Sequence, residues 1–484
     1  MGLLGILVGL GLLISLAFRG WSVLLLAPAA GLVAALFGGE PLLAHWTQTF
    51  MRSAAQFVAQ FFPLFLLGAL FGKLMDDSGS VTAISEAMTR RLGEQHAILA
   101  VVLAGALVTY GGVSLFVAFF VLAPMARVLF KAAAVPRRLM PAAIALGTST
   151  FTMSALPGTP SIQNAIPMPF FGTTPFAAPG LGIVASAIML CFGLWWLHRA
   201  QSAARRNNEG FGDDTLPPGD AVTADQDLRD RATTAHAFDP AEIVHGRRAP
   251  APPPMMLAAA PLVVVIAVNL LMSFAVLPSF DVAFLAEPRW GETSLSAVGG
   301  VWAVIVALLA AIITVIVANW RHLPGLRESM DAGANAAVLP VLSVASLVGF
   351  GAVVAALPAF AVVRDWVLGI EGGPLVSLAV ATNILAALTG SASGGLTIAL
   401  DALGPIYNAL AVENGIDPAL MHRVAVIGSG TLDSLPHNGA VVTLLAVCGT
   451  THRECYFDIV MVGIVGAIIA LIVVIGLGSV LGSF

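Results

Sequence analysis

The sequence predicts an all-α polytopic membrane protein of two inverted-topology repeats, each with a re-entrant hairpin and a discontinuous helix, in all about ten spans plus two hairpins. Three observations carry this. Of 484 residues, 58% are hydrophobic and 10% charged, with a mean hydropathy of +0.93, about half the charge of an average soluble domain. Apolar runs of about 20 residues, enough to cross roughly 30 Å of hydrocarbon, recur from Gly2 to the last residue. The 49 glycines and 29 prolines fall within those runs as well as between them, so broken helices are expected.

Other classes are excluded early. A net charge of −5, with lysine only at Lys73 and Lys131, leaves no basic surface for nucleic acid. Cys191, Cys448 and Cys455 are spaced for neither a metal nor a disulfide framework, and no cofactor is expected. The run from Gly2 to Phe18 has no basic segment ahead of it and reads as a first span ending at Arg19.

Plain spans are expected at 2–18, 21–37, 54–75, 180–198, 255–277, 297–319, 336–360 and 457–482. Residues 97–109 and 115–126 flank the tip Tyr110-Gly111-Gly112-Val113-Ser114, and these arms of 13 and 12 residues reach only about 20 Å as helices. The same shape returns at 375–389 and 396–411 around Gly390-Ser391-Ala392-Ser393-Gly394-Gly395. Arm length alone makes both re-entrant hairpins, 97–126 and 375–411. Helices starting at 139 and 420 run into polar, proline-containing stretches broken at Pro157 and Pro436, over 139–167 and 420–449. Between the halves, 199–254 holds 7 basic and 9 acidic residues in 56, ends in Pro-rich sequence and reads as a disordered cytoplasmic linker.

The repeats, 1–198 and 255–484, follow from a nearly constant offset: 283 residues from Gly112 to Gly395, 281 from Pro124 to Pro405 and 279 from Pro157 to Pro436. Orientation follows from charge. Eighteen of 22 basic residues fall on one face, and only Arg52, Arg289, Arg364 and Arg423 on the other. The first face is therefore cytoplasmic and both termini lie outside, periplasmic or extracellular. Residues 54–75 then run inward and 336–360 outward, which inverts the repeats.

Inverted repeats with paired discontinuous helices point to a secondary transporter with its site at the membrane midplane. Opened helix ends leave N–H groups for an anion, and hydroxyl and amide side chains add hydrogen bonds. The candidate binding residues are Gly111, Gly112, Ser114, Thr150, Thr152, Ser154, Thr159, Gln163 and Asn164 in the first repeat. In the second they are Ser391, Ser393, Gly394, Ser429, Thr431 and Asn438. Against this stands the use of such hydroxyls as helix glue. No Lys or Arg is expected deep in the membrane, which favours a monoanion or polyhydroxy acid held by dipoles and hydroxyls. Nearly all carboxylates fall in loops or at span ends, Asp76 and Asp77 among them. Asp433 is the clearest exception, and His437 is the one histidine in a broken segment. Ionisable groups at that depth are candidate proton carriers, or else a helix cap and a carbonyl donor. Asp401 is a weaker candidate.

The strings Gly147 to Pro167 and Gly428 to Gly449 resemble the gluconate permease (GntP-type) family of the ion transporter superfamily, and the resemblance covers the chain except 199–254. It implies an inner-membrane proton symporter of bacteria for gluconate or related short hydroxy acids such as 3-hydroxybutyrate, with D-serine and citrate as substrates of similar proteins. It also implies a homodimer with an elevator-like moving domain. Sodium symporters of the superfamily carry Ser-Asn-Thr tips. The tips here lack Asn, which is compatible with protons.

Alternatives remain open at this point. A sodium-coupled, citrate-like carboxylate transporter shares the architecture, and Ser434 with His437 is the one arrangement a membrane-embedded hydrolase would use. An ATP-driven pump is excluded, since Gly68 to Leu74 has the wrong P-loop spacing and no Ser or Thr after Lys73.

Overall fold

The computed structural model describes residues 2–17, 21–212, 249–436 and 438–484. The expectations for Arg19, His437 and linker positions 213–248 therefore lie outside the described residues. Among those described, every regular element is helical.

Helices α1 (Gly2–Ala17) and α2 (Val23–Gly38) pack as a pair. The second ends where Gly39, at φ +75°, turns its N–H back onto the carbonyls of Ala35 and Leu36. Helix α3 (Leu42–Asp77) runs for 36 residues and starts well before the expected position 54. The polar string His45–Phe50 continues it as a π-helical turn, because polar residues alone do not stop a helix where no glycine or proline intervenes. Helices α4 (Ser80–Leu92), α5 (Ala97–Tyr110), α6 (Leu115–Ala132) and α7 (Met140–Thr148) follow. The first break holds only short pieces, α8 (Phe151–Ser154), α9 (Ile162–Ala165) and α10 (Pro167–Phe171). Helix α11 (Pro179–Arg206) closes the first half, so the start of the expected linker is helical. Ala249, at the linker's other end, donates its N–H to the Asp77 carbonyl at 2.7 Å.

The second half comprises α12 (Met255–Ser279), α13 (Leu295–Ala318), α14 (Leu326–Ala356), α15 (Phe360–Leu368), α16 (Gly373–Thr389) and α17 (Ala392–Glu413). Helix α18 (Pro418–Thr431) passes through a 3₁₀ turn at Leu432–Ser434 into α19 (Gly439–Cys448), and α20 (His452–Leu481) ends the fold. Local chemistry sets these boundaries. Asp417 caps α18 by accepting from Ala419 N–H at 2.8 Å, with Pro418 at the first helical position. Thr451 and Glu454 form a capping box that starts α20.

Among the described residues, eight helices are long and apolar enough to span a membrane: α3, α6, α11, α12, α13, α14, α17 and α20. This corrects the hairpin arms. Arms expected to end at 126 and start at 396 are 18 and 22 residues long, about 27 and 33 Å at 1.5 Å per residue. Arm length therefore does not establish re-entry. The helices run on past the last apolar stretch, through Arg127 and Lys131 in α6, and start earlier, at Ala392, in α17.

Helices α2, α3, α13 and α14 pack together, α14 lying against both α2 and α3. A second group pairs α5 and α6 with α7, and α16 and α17 with α18, while α20 joins α18 to α11. The arms α16 and α17 meet backbone to backbone, since a Cβ on Gly395 would lie 2.3 Å from the Ala386 nitrogen.

Two expectations about charge are corrected. Lys73 and Asp77 are 1% and 0% exposed, joined at 2.8 Å, with Ser329 Oγ donating to Asp77 Oδ2 at 2.6 Å. The amino-terminal turns of α14 cover what the sequence presents as a span end. Arg423, expected on the outer face, is 0% exposed. It lies inside α18, and its Nε and Nη2 donate to the Ala177 carbonyl at 3.1 and 2.6 Å.

Candidate functional site

The two breaks meet the two tips around a pair of adjoining cavities. Polar residues Ser149, Ser154, Gln163, Asp433, Ser434 and Asn438 border the smaller, about 30 Å³, with Phe119, Ala392 and Leu444. The larger, about 210 Å³, is bordered by Thr109, Gly112, Ser114, Ser161, Gln163, Ser391 and Ser393. Its far wall is α3 and α14, through Leu64, Phe65, Gly68, Ala336, Pro340 and Val344. Leu115, Met153 and Gln163 border both. Gln163 Oε1 is buried and has no hydrogen-bond partner.

Helix starts place the tips. Ser114 is the N-cap of α6, and its side chain makes no capping bond. Ser391 is the N-cap of α17 and accepts from Gly394 N–H at 3.2 Å. Ser391 and Ser393 hydroxyls lie 3.3 Å apart. Gly112, at φ +96°, makes the sharp turn into α6, and a Cβ there would meet Pro160 at 2.7 Å.

Asp433 is half-buried. Its Oδ1 accepts from Ala392 N–H, the first residue of α17, at 2.9 Å and from Asn438 Nδ2 at 2.6 Å. Asn438 Nδ2 also donates to the Gly390 carbonyl at 2.8 Å, and its Oδ1 accepts from Ala440 N–H at 2.7 Å. The cap of the following half-helix, α19, is thus Asn438. Asp433 instead caps the hairpin helix α17.

Of the expected residues, Gly112, Ser114, Ser154, Gln163, Ser391, Ser393, Asp433 and Asn438 border the cavities. The others do not. Thr150, Ser429 and Thr431 return their hydroxyls to the carbonyls of Leu146, Val426 and Ile427, the usual arrangement for a hydroxyl in a helix. Thr152 is occupied by Thr148 O and by Thr109 Oγ1. Thr159 Oγ1 accepts from Ser161 N–H. Gly111 packs on Leu262 and Gly394 on Leu347. Tyr110 donates to the Pro157 carbonyl at 2.8 Å.

Asn164 holds the first break together from behind. Its Nδ2 donates to the carbonyls of Thr159 and Pro175 at 3.0 Å each, and its Oδ1 lies 3.2 Å from His422 Nε2 and 3.5 Å from Arg423 Nη1. His422 Nδ1 lies 2.6 Å from Thr173 Oγ1. Residues Ser149, Ser161 and Thr109 border the cavities without having been singled out, although the first two stand in the Ser/Thr-rich string that signals the break. Arg423 carries no such signal, because a charge one turn and a half inside an amphipathic-looking helix start looks like an interface residue.

A stack of membrane-length helices, interrupted by two opened segments that meet at a polar cavity, defines a multi-pass membrane transporter. The profile of GntP family permeases matches residues 1–169. Over 488 residues, 99% of both chains, the sequence is 39% identical to the transporter YxjC of Bacillus subtilis (strain 168). The chain belongs to the GntP permease family. It is also 30% identical over 162 residues, 33% of this chain and 35% of the other, to the high-affinity gluconate transporter of Escherichia coli (strain K12). Two solved structures share the fold: the efflux pump MtrF of Neisseria gonorrhoeae (TM-score 0.53, 16% identity, 90% of this chain and 85% of that one) and the YdaH transporter of Alcanivorax borkumensis (0.52, 15%, 88% of each).

Proposed function

We propose that this permease imports a small hydroxy-monocarboxylate of the gluconate or 3-hydroxybutyrate kind together with a proton. The observation that carries the reading is the meeting of two cavities at Gln163, with the starts of α6 and α17 on their walls. Helix starts suit a carboxylate. The unpartnered Gln163 Oε1 suits a hydroxyl donor. Seryl hydroxyls at 114, 154, 161, 391 and 393 complete a site for a polyhydroxy acid. Asp433, beside them, is the coupling group, with His437 as its proposed partner, and the gluconate specificity of one relative agrees with this chemistry.

In the same reading the halves are inverted repeats, the tips are re-entrant, the termini are outside the inner membrane and 199–254 is cytoplasmic. The α2, α3, α13 and α14 group is the fixed part, and of a homodimer. The tips and breaks move against it, carrying the cavity past α3 and α14, which form one of its walls. The test is uptake of labelled gluconate into proteoliposomes. A pH gradient, inside alkaline, should drive accumulation, and 3-hydroxybutyrate should compete. Uptake that follows an imposed sodium gradient instead, or competition by citrate alone, would make this a sodium-coupled carboxylate carrier.

A further inference from the structure

We infer that the Asp433 carboxylate is a tethered competitor of the substrate's carboxylate: ionised, it occupies the start of α17 and latches the hairpin tip, and a proton on it vacates that seat for the incoming acid. This rests on the function proposed above and supplies the step that couples the two ligands.

The seat is visible because an anion already sits in it. Asp433 Oδ1 takes Ala392 N–H at 2.9 Å, the Ser391 hydroxyl takes Gly394 N–H, and Ser393 N–H has no protein acceptor. Ala392 and Asp433 border the smaller cavity, Ser391 and Ser393 the larger, and Gln163, with its unpartnered Oε1, lies at the junction. A second carboxylate brought to the same helix start meets a like charge, which a low-dielectric site does not tolerate. Protonation removes that charge and turns a charge-assisted bond into a neutral one of roughly half the strength. Asn438 holds Asp433 and the Gly390 carbonyl with one amide, so the latch also ties the tip to the second break.

No other ionisable side chain among the described residues borders either cavity. Helix α16 carries none, and α17 carries Asp401, Tyr407 and Glu413, of which the first is already nine positions on from Ala392, about 14 Å along the helix. On α18, His422 and Arg423 lie at the opposite end, and on α6, Arg127 and Lys131 are near the far end. Helix α19 has Cys448. On α20, His452 meets the Pro436 carbonyl and Tyr456 the Ser434 carbonyl, while Arg453, Glu454, Cys455 and Asp458 complete its ionisable residues. His437 lies outside the described residues.

Linkage then requires that whatever the proton does for substrate affinity, the substrate does for proton affinity. Purified wild-type protein and Asp433→Asn are compared in two measurements from about pH 5.5 to about pH 8.5. In the first, gluconate affinity of the wild type should weaken by about tenfold per pH unit above the pKa of Asp433, whereas Asp433→Asn should bind at every pH as the wild type does in acid. In the second, without substrate, amide exchange at residues 390–394, corrected for the intrinsic rate, should show protection lost as the wild type is acidified and absent throughout in the variant. Tip protection unchanged by pH in the wild type overturns the inference whichever acid is carried, and so does uniformly weaker gluconate binding by the variant. A tip that responds to pH, in a protein that binds no gluconate at any pH, upholds the latch and removes gluconate as substrate.

Discussion

Replacing Gln163 by methionine should lower substrate affinity without destabilising the protein. Gln163 lies on the four-residue helix α9 and borders both cavities, and its Oε1 is buried without a partner. A buried acceptor left unpaired forfeits roughly 1–3 kcal/mol of solvation in the empty protein. Methionine keeps the unbranched stem and length but has no such acceptor, so the melting temperature in detergent should hold or rise. The same change removes the acceptor proposed for a substrate hydroxyl. Loss of about 1.4 kcal/mol of binding is tenfold in affinity, and the apparent KM for gluconate should rise by about that factor with the maximal rate little changed. Gln163→Glu should be worse, since a carboxylate would face the incoming acid. A methionine variant with wild-type KM would show that Oε1 does not face the substrate. One that melts much lower would show that Gln163 is a packing residue.

Further outcomes follow from the packing and the topology. Lys73→Met leaves Asp77 charged and buried, with Ser329 as its remaining side-chain partner, and should cost roughly 3–5 kcal/mol in chemical unfolding; changing Asp77 to Leu as well should recover most of it. Gly395→Ala forces a methyl onto the Ala386 backbone at 2.3 Å, parting the hairpin arms at a cost of about 1–3 kcal/mol or more and abolishing uptake, whereas Gly476→Ala, which meets nothing within 4 Å, should behave as wild type. Arg138 joins Glu209 at 2.8 Å and Asp458 at 2.9 Å, and Arg138→Ala, which leaves Asp458 nearly buried without its cation, should lower the thermal midpoint more than Glu209→Ala. Cysteines at the exposed positions Arg327 and Glu287 should react with an impermeant thiol reagent from inside and outside respectively; reaction of both from one face would reverse the orientation argument.

Much of the site is legible in the sequence because its parts are punctuated by glycine, serine and proline in otherwise apolar runs. The tips at 112–114 and 390–394 and the breaks at Pro157 and Pro436 need no tertiary information. Which hydroxyls face the cavity is different. Thr431 and Ser154 stand in equivalent polar strings, yet Thr431 closes on Ile427 O away from both cavities while Ser154, which also bonds a helical carbonyl, borders one. Only the rotation of each short helix decides that. Helix ends are not legible where the helix extends beyond its apolar run, ahead of it at α3 and past it at α6. Buried charges escaped for a related reason: Lys73 and Arg423 stand near helix ends in the chain, and the segments that cover them, the start of α14 and the loop through Ala177, come from remote sequence.

Symport of a hydroxy-monocarboxylate with one proton, as proposed above, is tested most directly by following the movement of both at once. Proteoliposomes holding a pH-sensitive dye in weak buffer receive a pulse of labelled gluconate with sodium absent. Coupled entry should acidify the lumen by one proton per gluconate, and clamping the membrane potential at different values should leave the accumulation reached unchanged, because one proton and one monoanion together move no net charge. Uncoupled anion entry would instead run against about 2.3 kcal/mol per 100 mV of inside-negative potential. Gluconate entry with no pH change, or with a requirement for sodium, would contradict the account.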